Sequence, residues 1–236
     1  MAFPFFYLIY YRIKFETLKL LTKKLKTIKT AKILIKGDVK SDKIKRVWIC
    51  LHGYGQLAEI FIRNFSFLNE EENIVIVPEA LNRFYLNGFS GKVGASWMTK
   101  EEREDEIEDQ KIYLDNIIQL IKEDKYFSSA EKNVLGFSQG TATAIRWILR
   151  SEFIPNNLIL WGGTITNHYD LNGIKDVSNK TRLTICIGDD DEFISEDKIS
   201  ESKNLLDENE IKHQFILYEG NHKIYKDVLE KIYCEG

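Results

Sequence analysis

Seven short runs of β-branched and apolar residues, separated by longer stretches with helical spacing, constrain this 236-residue chain more than any other feature. They are Lys32–Ile35, Arg46–Leu51, Ile74–Pro78, Asn133–Phe137, Asn157–Trp161, Leu183–Ile187 and Gln214–Tyr218. Each is apolar at nearly every position, the pattern of a strand buried on both faces. Between them, Glu101–Lys122 carries an apolar stripe of Ile107, Ile112, Leu114, Ile117, Ile118 and Ile121. Its opening acids (Glu101, Glu102, Glu104, Asp105) suit the positive end of a helix dipole. Thr141–Leu149, Glu196–Asn209 and Lys223–Tyr233 also read as helices. Strands alternating with helices predict βαβ units with right-handed crossovers. The expected fold class is therefore α/β, a mostly parallel central sheet flanked by helices on both faces. Proline occurs only at positions 4, 78 and 155, and no repeat or linker tract interrupts the pattern. Residues 31–236 are expected to form a single domain behind an extension over residues 1–30.

A hydrophobic share of 44% and a charged share of 29% describe an ordinary globular chain rather than a disordered one. The net charge of -3 provides no global attraction to nucleic acid, so no nucleic-acid partner is expected. The charge is uneven, with twelve Lys/Arg against three acids in residues 1–45. The aromatic-rich opening (Met1–Tyr11) is about half the length needed to span a bilayer. It has neither the leading cations nor the cleavage site of a secretory signal. Residues 1–30 are read as a poorly ordered extension, a stretch upstream of the start actually used, or a weak membrane-surface contact through aromatics and the basic stretch Lys19–Lys32. Three cysteines, an odd number, exclude a disulfide framework. Cys50 and Cys186 lie inside apolar runs and read as buried thiols of a reducing compartment, with a cytoplasmic location expected.

Gly136-Phe137-Ser138-Gln139-Gly140 matches G-x-S-x-G between a strand-like run and a helix-like one. That context matters, because a nucleophilic serine must stand on a tight strand-to-helix turn, exposed above the sheet's carboxyl edge. A serine needs a base, and the base needs an orienting carboxylate. Both follow Ser138 in the chain, each after a later strand. Gly188-Asp189-Asp190-Asp191-Glu192 follows Leu183–Ile187, and Glu219-Gly220-Asn221-His222 follows Gln214–Tyr218. Among the four histidines, His222 stands in the loop a base should occupy. His52 lies in a glycine loop, His168 in a polar loop, and His213 reads as a surface residue. Leu51-His52-Gly53-Tyr54-Gly55-Gln56, directly after a strand, aims backbone N–H groups past the strand end. The N–H groups of Tyr54 and Gln139 are the candidate oxyanion donors. No phosphate-binding G-x-x-x-x-G-K-[ST] loop and no metal-ligand spacing of Cys and His is present, so neither metal nor organic cofactor is expected.

Together these segments, with Trp97 in Gly94-Ala95-Ser96-Trp97, resemble the phospholipase/carboxylesterase branch of the α/β-hydrolase superfamily, which includes acyl-protein thioesterases. The resemblance covers roughly residues 30–234. It implies the α/β-hydrolase fold, an esterase activity, Ser138 as nucleophile, His222 as base and an aspartate as orienter. The family pattern G-x-x-D places that acid at Asp191. Glu192 and Ser195 stand where the family often has prolines, which leaves Asp189 as the second choice.

The segment Leu81–Met98 reads as a long loop rich in aromatics and glycine, a wall or lid of an acyl pocket. Phe84, Tyr85, Phe89 and Trp97 are its candidate substrate contacts. The expected activity is hydrolysis of small-molecule or lipid-like carboxylic esters through an acyl-enzyme. The competing readings are a thioesterase, an acyltransferase or a peptide-cleaving enzyme with the same triad, and a catalytically silent ligand-binding protein. No heptad pattern specifies an obligate partner, and oligomeric state stays open.

Overall fold

All seven apolar runs form strands in the structure, a computed structural model that describes residues 21–234. The chain divides into two units, Met1–Thr30 and Ala31–Gly236. Of the first, residues 21–30 are exposed and form neither helix nor strand. The membrane-surface reading of residues 1–30 falls mostly outside the described residues.

In the second unit, β1 (Ile33–Lys36), β2 (Arg46–Leu51), β3 (Asn73–Pro78), β6 (Glu131–Phe137), β7 (Asn157–Trp161), β8 (Arg182–Gly188) and β9 (Gln214–Tyr218) make one sheet. Its order is β1-β3-β2-β6-β7-β8-β9. Every pairing is parallel except β1 with β3, which is antiparallel. Chain order reverses at β2: β3 lies on one side of it and β6 on the other. In open α/β sheets the crevice at such a reversal, beyond the carboxyl ends of the strands, is where ligands bind.

Alternate residues of the strands face two separate cores. Val47, Ile49 and Leu51 join Leu114, Ile117, Ile145 and Ile148 on one face. Trp48 and Cys50 join Phe61, Phe65 and Leu229 on the other. The first face is covered by α2 (Arg103–Glu123), α3 (Gln139–Arg150), α4 (Leu171–Ser178) and α5 (Glu196–Glu208). The second is covered by α1 (Ala58–Phe61), a 3-10 turn over Ile62–Phe65, and α6 (Lys226–Cys234). The five inner strands are buried on both faces, which is why their runs read as continuously apolar. The edge strands β1 and β9 depart from that expectation and leave Ile35 and Leu217 exposed, because one side of each has no neighbouring strand.

Three local expectations are corrected. Ile112 does not belong to the buried stripe of α2 and is 42% exposed, while Gln110 and Tyr113 are buried with Ile107, Leu114, Ile117, Ile118 and Ile121. At 100° per residue, position 112 lies well round the helix from 107, 114 and 118. The segment Leu81–Met98 is not a loop throughout but contains an antiparallel hairpin, β4 (Asn82–Tyr85) and β5 (Val93–Ser96). Its alternation is short and its turn glycine-rich, so the strand signal is weak in sequence. The last helix starts at Lys226, three residues after the expected Lys223, because Asn221 and Lys223 are held in a turn (N–H of Lys223 on the Asn221 carbonyl, 2.7 Å).

Candidate active site

Ser138 follows β6 at the reversal point and has φ 53° and ψ -115°, a backbone geometry rare outside glycine and one that stores strain. Its surroundings over-determine it. The Ser138 N–H donates to the Trp161 carbonyl at 2.8 Å, and Thr141 Oγ1 bonds the Gly136 and Trp161 carbonyls at 3.0 and 3.1 Å. The first turn of α3 passes so close to β2 that a Cβ on Gly140 would lie 2.2 Å from the Leu51 carbonyl oxygen. Only glycine permits that approach.

His222 is brought to the same strand edge by the loop after β9. Its Nδ1 lies 2.6 Å from Asp191 Oδ2, and the Asp191 side chain has no exposed surface. The other Asp191 oxygen accepts the Phe193 N–H at 2.9 Å. The three adjacent aspartates are thus separated by the turn. Asp189 Oδ1 caps the Gly220 N–H at 2.9 Å and Asp190 is exposed, so only Asp191 points inward to the imidazole. An acceptor-only carboxylate on Nδ1 makes that nitrogen the donor and leaves Nε2 as the ring's acceptor. The His222 ring sits between Phe137 and Phe193, with centroid separations of 5.0 and 4.8 Å. The Trp161 indole N–H and the Tyr218 hydroxyl converge on the Lys223 carbonyl at 2.9 Å each, tethering the loop that carries His222. Glu192 accepts the His222 N–H at 3.3 Å, and backbone N–H groups, its own and that of His222, hold its carboxyl below the ordinary range.

The loop after β2 is braced from every side. His52 is fully buried, with Nδ1 2.7 Å from the Gly53 carbonyl and Nε2 accepting the Ala80 N–H at 3.0 Å. Burial lowers its pKa and keeps it neutral. His52 is a scaffold group, and His213, half-buried with Nδ1 2.8 Å from the Ile211 carbonyl, is another. His168 is exposed. The Gly55 N–H donates to Ala95 in the hairpin at 2.8 Å, the Gly53 N–H to Gln56 Oε1 at 2.9 Å, and the Gln56 N–H to Gly53 at 3.3 Å. The N–H groups of Tyr54 and Gln139 make no hydrogen bond among the described residues.

The aromatic candidates divide. Phe84 packs on Tyr54 with ring centroids 5.1 Å apart, while Tyr85 and Phe89 are exposed on the hairpin, Phe89 almost entirely. Trp97 is corrected: it is fully buried and lines no open surface. Its indole N–H donates to the His52 carbonyl at 2.8 Å, its own N–H donates to Gln139 Oε1 at 3.0 Å, and its carbonyl accepts from Gln110 Nε2. Its role is to hold the loop after β2 against the elbow. Two contributors escaped the sequence reading. The Gln139 side chain also donates to Met98 at 2.9 Å, and the exposed Phe193 lies against His222. Neither had a local signal, because both contacts join residues distant in sequence. Among the described residues no group of three or more His, Cys, Asp or Glu could hold a metal. No helix among them is long and apolar enough to cross a membrane.

Comparison with known proteins bears on the family and the fold. Residues 38–234 match the model of the Phospholipase/Carboxylesterase family. The fold is that of the acyl-protein thioesterase 2 of Zea mays, at TM-score 0.64 and 16% identity over 86% of this chain and 96% of that one. It is similar also to the Bacillus cereus carboxylesterase, at TM-score 0.63 and 15% identity over 86% and 91% of the two chains. Esterase PE8 superposes with TM-score 0.61 at 18% identity, over 87% of this chain and 96% of that one. No curated protein matches the chain in sequence. The sheet, its helices and these relatives make this an α/β-hydrolase fold, and the chain belongs to the phospholipase/carboxylesterase family.

Proposed function

We propose that the protein is a serine hydrolase of carboxylic esters and thioesters, working through Ser138, His222 and Asp191. The observation that carries this reading is the 2.6 Å contact between buried Asp191 and His222 Nδ1, at the same strand edge as a strained Ser138. With Nδ1 committed to Asp191, His222 Nε2 accepts the Ser138 hydroxyl proton as Oγ attacks the substrate carbonyl carbon. The carbonyl π electrons move to oxygen, and the N–H groups of Tyr54 and Gln139 stabilise that oxyanion. Each donor contributes on the order of 3 kcal/mol to the transition state. Collapse of the tetrahedral intermediate expels the alcohol or thiol, which takes the proton from His222, and leaves Ser138 acylated. Water, deprotonated by His222, then attacks the acyl carbon; Ser138 leaves with the proton and the carboxylic acid is released.

The acyl or leaving group packs against the aromatic surface of Tyr54, Phe84, Tyr85, Phe89 and Phe193. Four of these are large exposed hydrophobics that would lose water contact on binding a lipid-like ester. Steady-state hydrolysis of p-nitrophenyl esters from acetate to palmitate tests the proposal, with Ser138→Ala beside the wild type. Turnover is expected to fall by at least about a thousandfold in the variant, and a fluorophosphonate is expected to label the wild type alone. Equal turnover in folded Ser138→Ala would overturn the assignment.

A further inference from the structure

A second concave region lies away from the catalytic residues, along the outward stripe of α3. Residues Ala142, Arg146 and Leu149 share that stripe at helical spacing and are only partly buried. Beyond them opens a cavity of about 680 Å³ lined by Arg103, Arg146 and Arg150, with Thr166, His168 and Tyr169 opposite. At about 1.5 Å of rise per residue, Arg146 stands roughly 12 Å along the helix from Ser138.

The charges in this cavity do not balance. Arg150 is paired with Glu104 at 2.8 Å, which uses the one glutamate in the lining. The one aspartate, Asp170, is spent as the cap of α4, accepting the Gly173 N–H at 3.0 Å. Arg103 and Arg146 have no carboxylate within ion-pair distance among the described residues. Arg146 is half-buried, with Nη1 3.2 Å from Met98 Sδ and its guanidinium 5.8 Å from the Tyr169 ring centroid. A thioether and a ring face are weak partners for a partly desolvated cation, which normally finds a carboxylate or phosphate. Burial, and then the positive charges of Arg103 and Arg150, push the Arg146 pKa down, with Tyr169 and Glu104 opposing them.

We infer that this cavity is a binding site for a phosphate group, held by the forked N–H donors of Arg146 with Arg103 closing over it. Guanidinium groups match the tetrahedral oxyanion in charge and in hydrogen-bond geometry, and the cavity is larger than one phosphate, so the group belongs to free phosphate or to a small phosphate monoester. The site is distinct from Ser138 and stands whether or not the hydrolase reading does.

The test is equilibrium dialysis of the full chain against radiolabelled inorganic phosphate, chloride holding ionic strength constant, and in parallel against glycerol 3-phosphate. Wild-type protein should bind phosphate saturably, at one site per chain. The phosphate midpoint should move up by about tenfold or more in Arg146→Gln and in the exposed Arg103→Gln. It should stay in place in Arg63→Gln, which lies on the opposite core. Tighter binding of glycerol 3-phosphate identifies a monoester as the ligand; equal midpoints identify the free anion. The Tm of each variant without phosphate, measured separately, distinguishes lost binding from lost stability. Occupancy that fails to saturate, or that has the same midpoint in wild type and both cavity variants, overturns the site.

Discussion

His52 Nε2 accepts the backbone N–H of Ala80 at 3.0 Å, so the loop after β2 is hung from the end of β3 by a buried ring that must stay neutral. Nδ1, committed to the Gly53 carbonyl at 2.7 Å, carries the ring's one proton. A second proton would have to go to Nε2 and would break the bond to Ala80. The side chain that the sequence places in a catalytic-looking loop is therefore a clamp on the backbone that presents the Tyr54 N–H.

A stability profile against pH reads this clamp. The folded-state pKa of His52 is lowered by burial from 6.5, so below about pH 6.5 the unfolded chain binds more protons. His52 therefore contributes stability that is present above pH 6.5 and is lost as pH falls from there toward its folded pKa. Urea unfolding at pH 7.5 and at pH 5.0 should show a larger loss for the wild type than for His52→Gln, which carries no titrating ring. Identical losses in the two proteins would remove the clamp as a source of acid sensitivity.

Asp191 and Asp189 should respond very differently to amidation. Asp191→Asn replaces the acceptor on His222 Nδ1 with a group that can donate, favouring the tautomer with its proton on Nε2. The ring then cannot accept from Ser138, and kcat should fall by about three orders of magnitude or more with folding retained. Asp189→Asn keeps an oxygen for the Gly220 N–H and should change kcat less than about threefold. A larger kcat loss in Asp189→Asn than in Asp191→Asn would reverse the assignment of the orienting acid.

Gly162 sits at the end of β7 with φ 63°, and a Cβ there would lie 2.9 Å from His222 Cε1. Gly162→Ala should cost about 1–2 kcal/mol of stability through its left-handed backbone alone. The methyl also pushes on the imidazole, so kcat should fall by more than tenfold in the fraction that remains folded. Paired kinetic and thermal measurements on the one variant check both. Unchanged kcat would mean that the ring is free to shift without loss.

Much of this architecture is local chemistry and could be read along the chain. Each buried strand writes its own apolar run, because both faces of every central residue meet core. The elbow likewise carries its own signature, since close packing at Gly140 and the positive-φ turn at Ser138 are demands made within five residues. Ser138, Asp191 and His222, which follow β6, β8 and β9, come to one edge because parallel βαβ connectivity returns every strand's carboxyl end to it.

What the chain could not disclose is which side chains meet across that edge. Asp189, Asp190 and Asp191 are chemically identical neighbours, and a single turn, pinned by Asp189 on Gly220 and by Phe193 on Asp191, decides which one reaches His222. Trp97 has the composition of a pocket wall, yet the hairpin carries it under the loop after β2, where its indole meets a carbonyl 45 residues away. Arg146 carries no signal of its own in the sequence, and only the fold brings the Thr166–Asp170 loop and the start of α2 around it. Apolar periodicity is a property of one element and its two faces, so sequence determined the strands, the helices and the elbow. Pairwise polar contacts depend on where separate loops end in space, and only tertiary structure decided those.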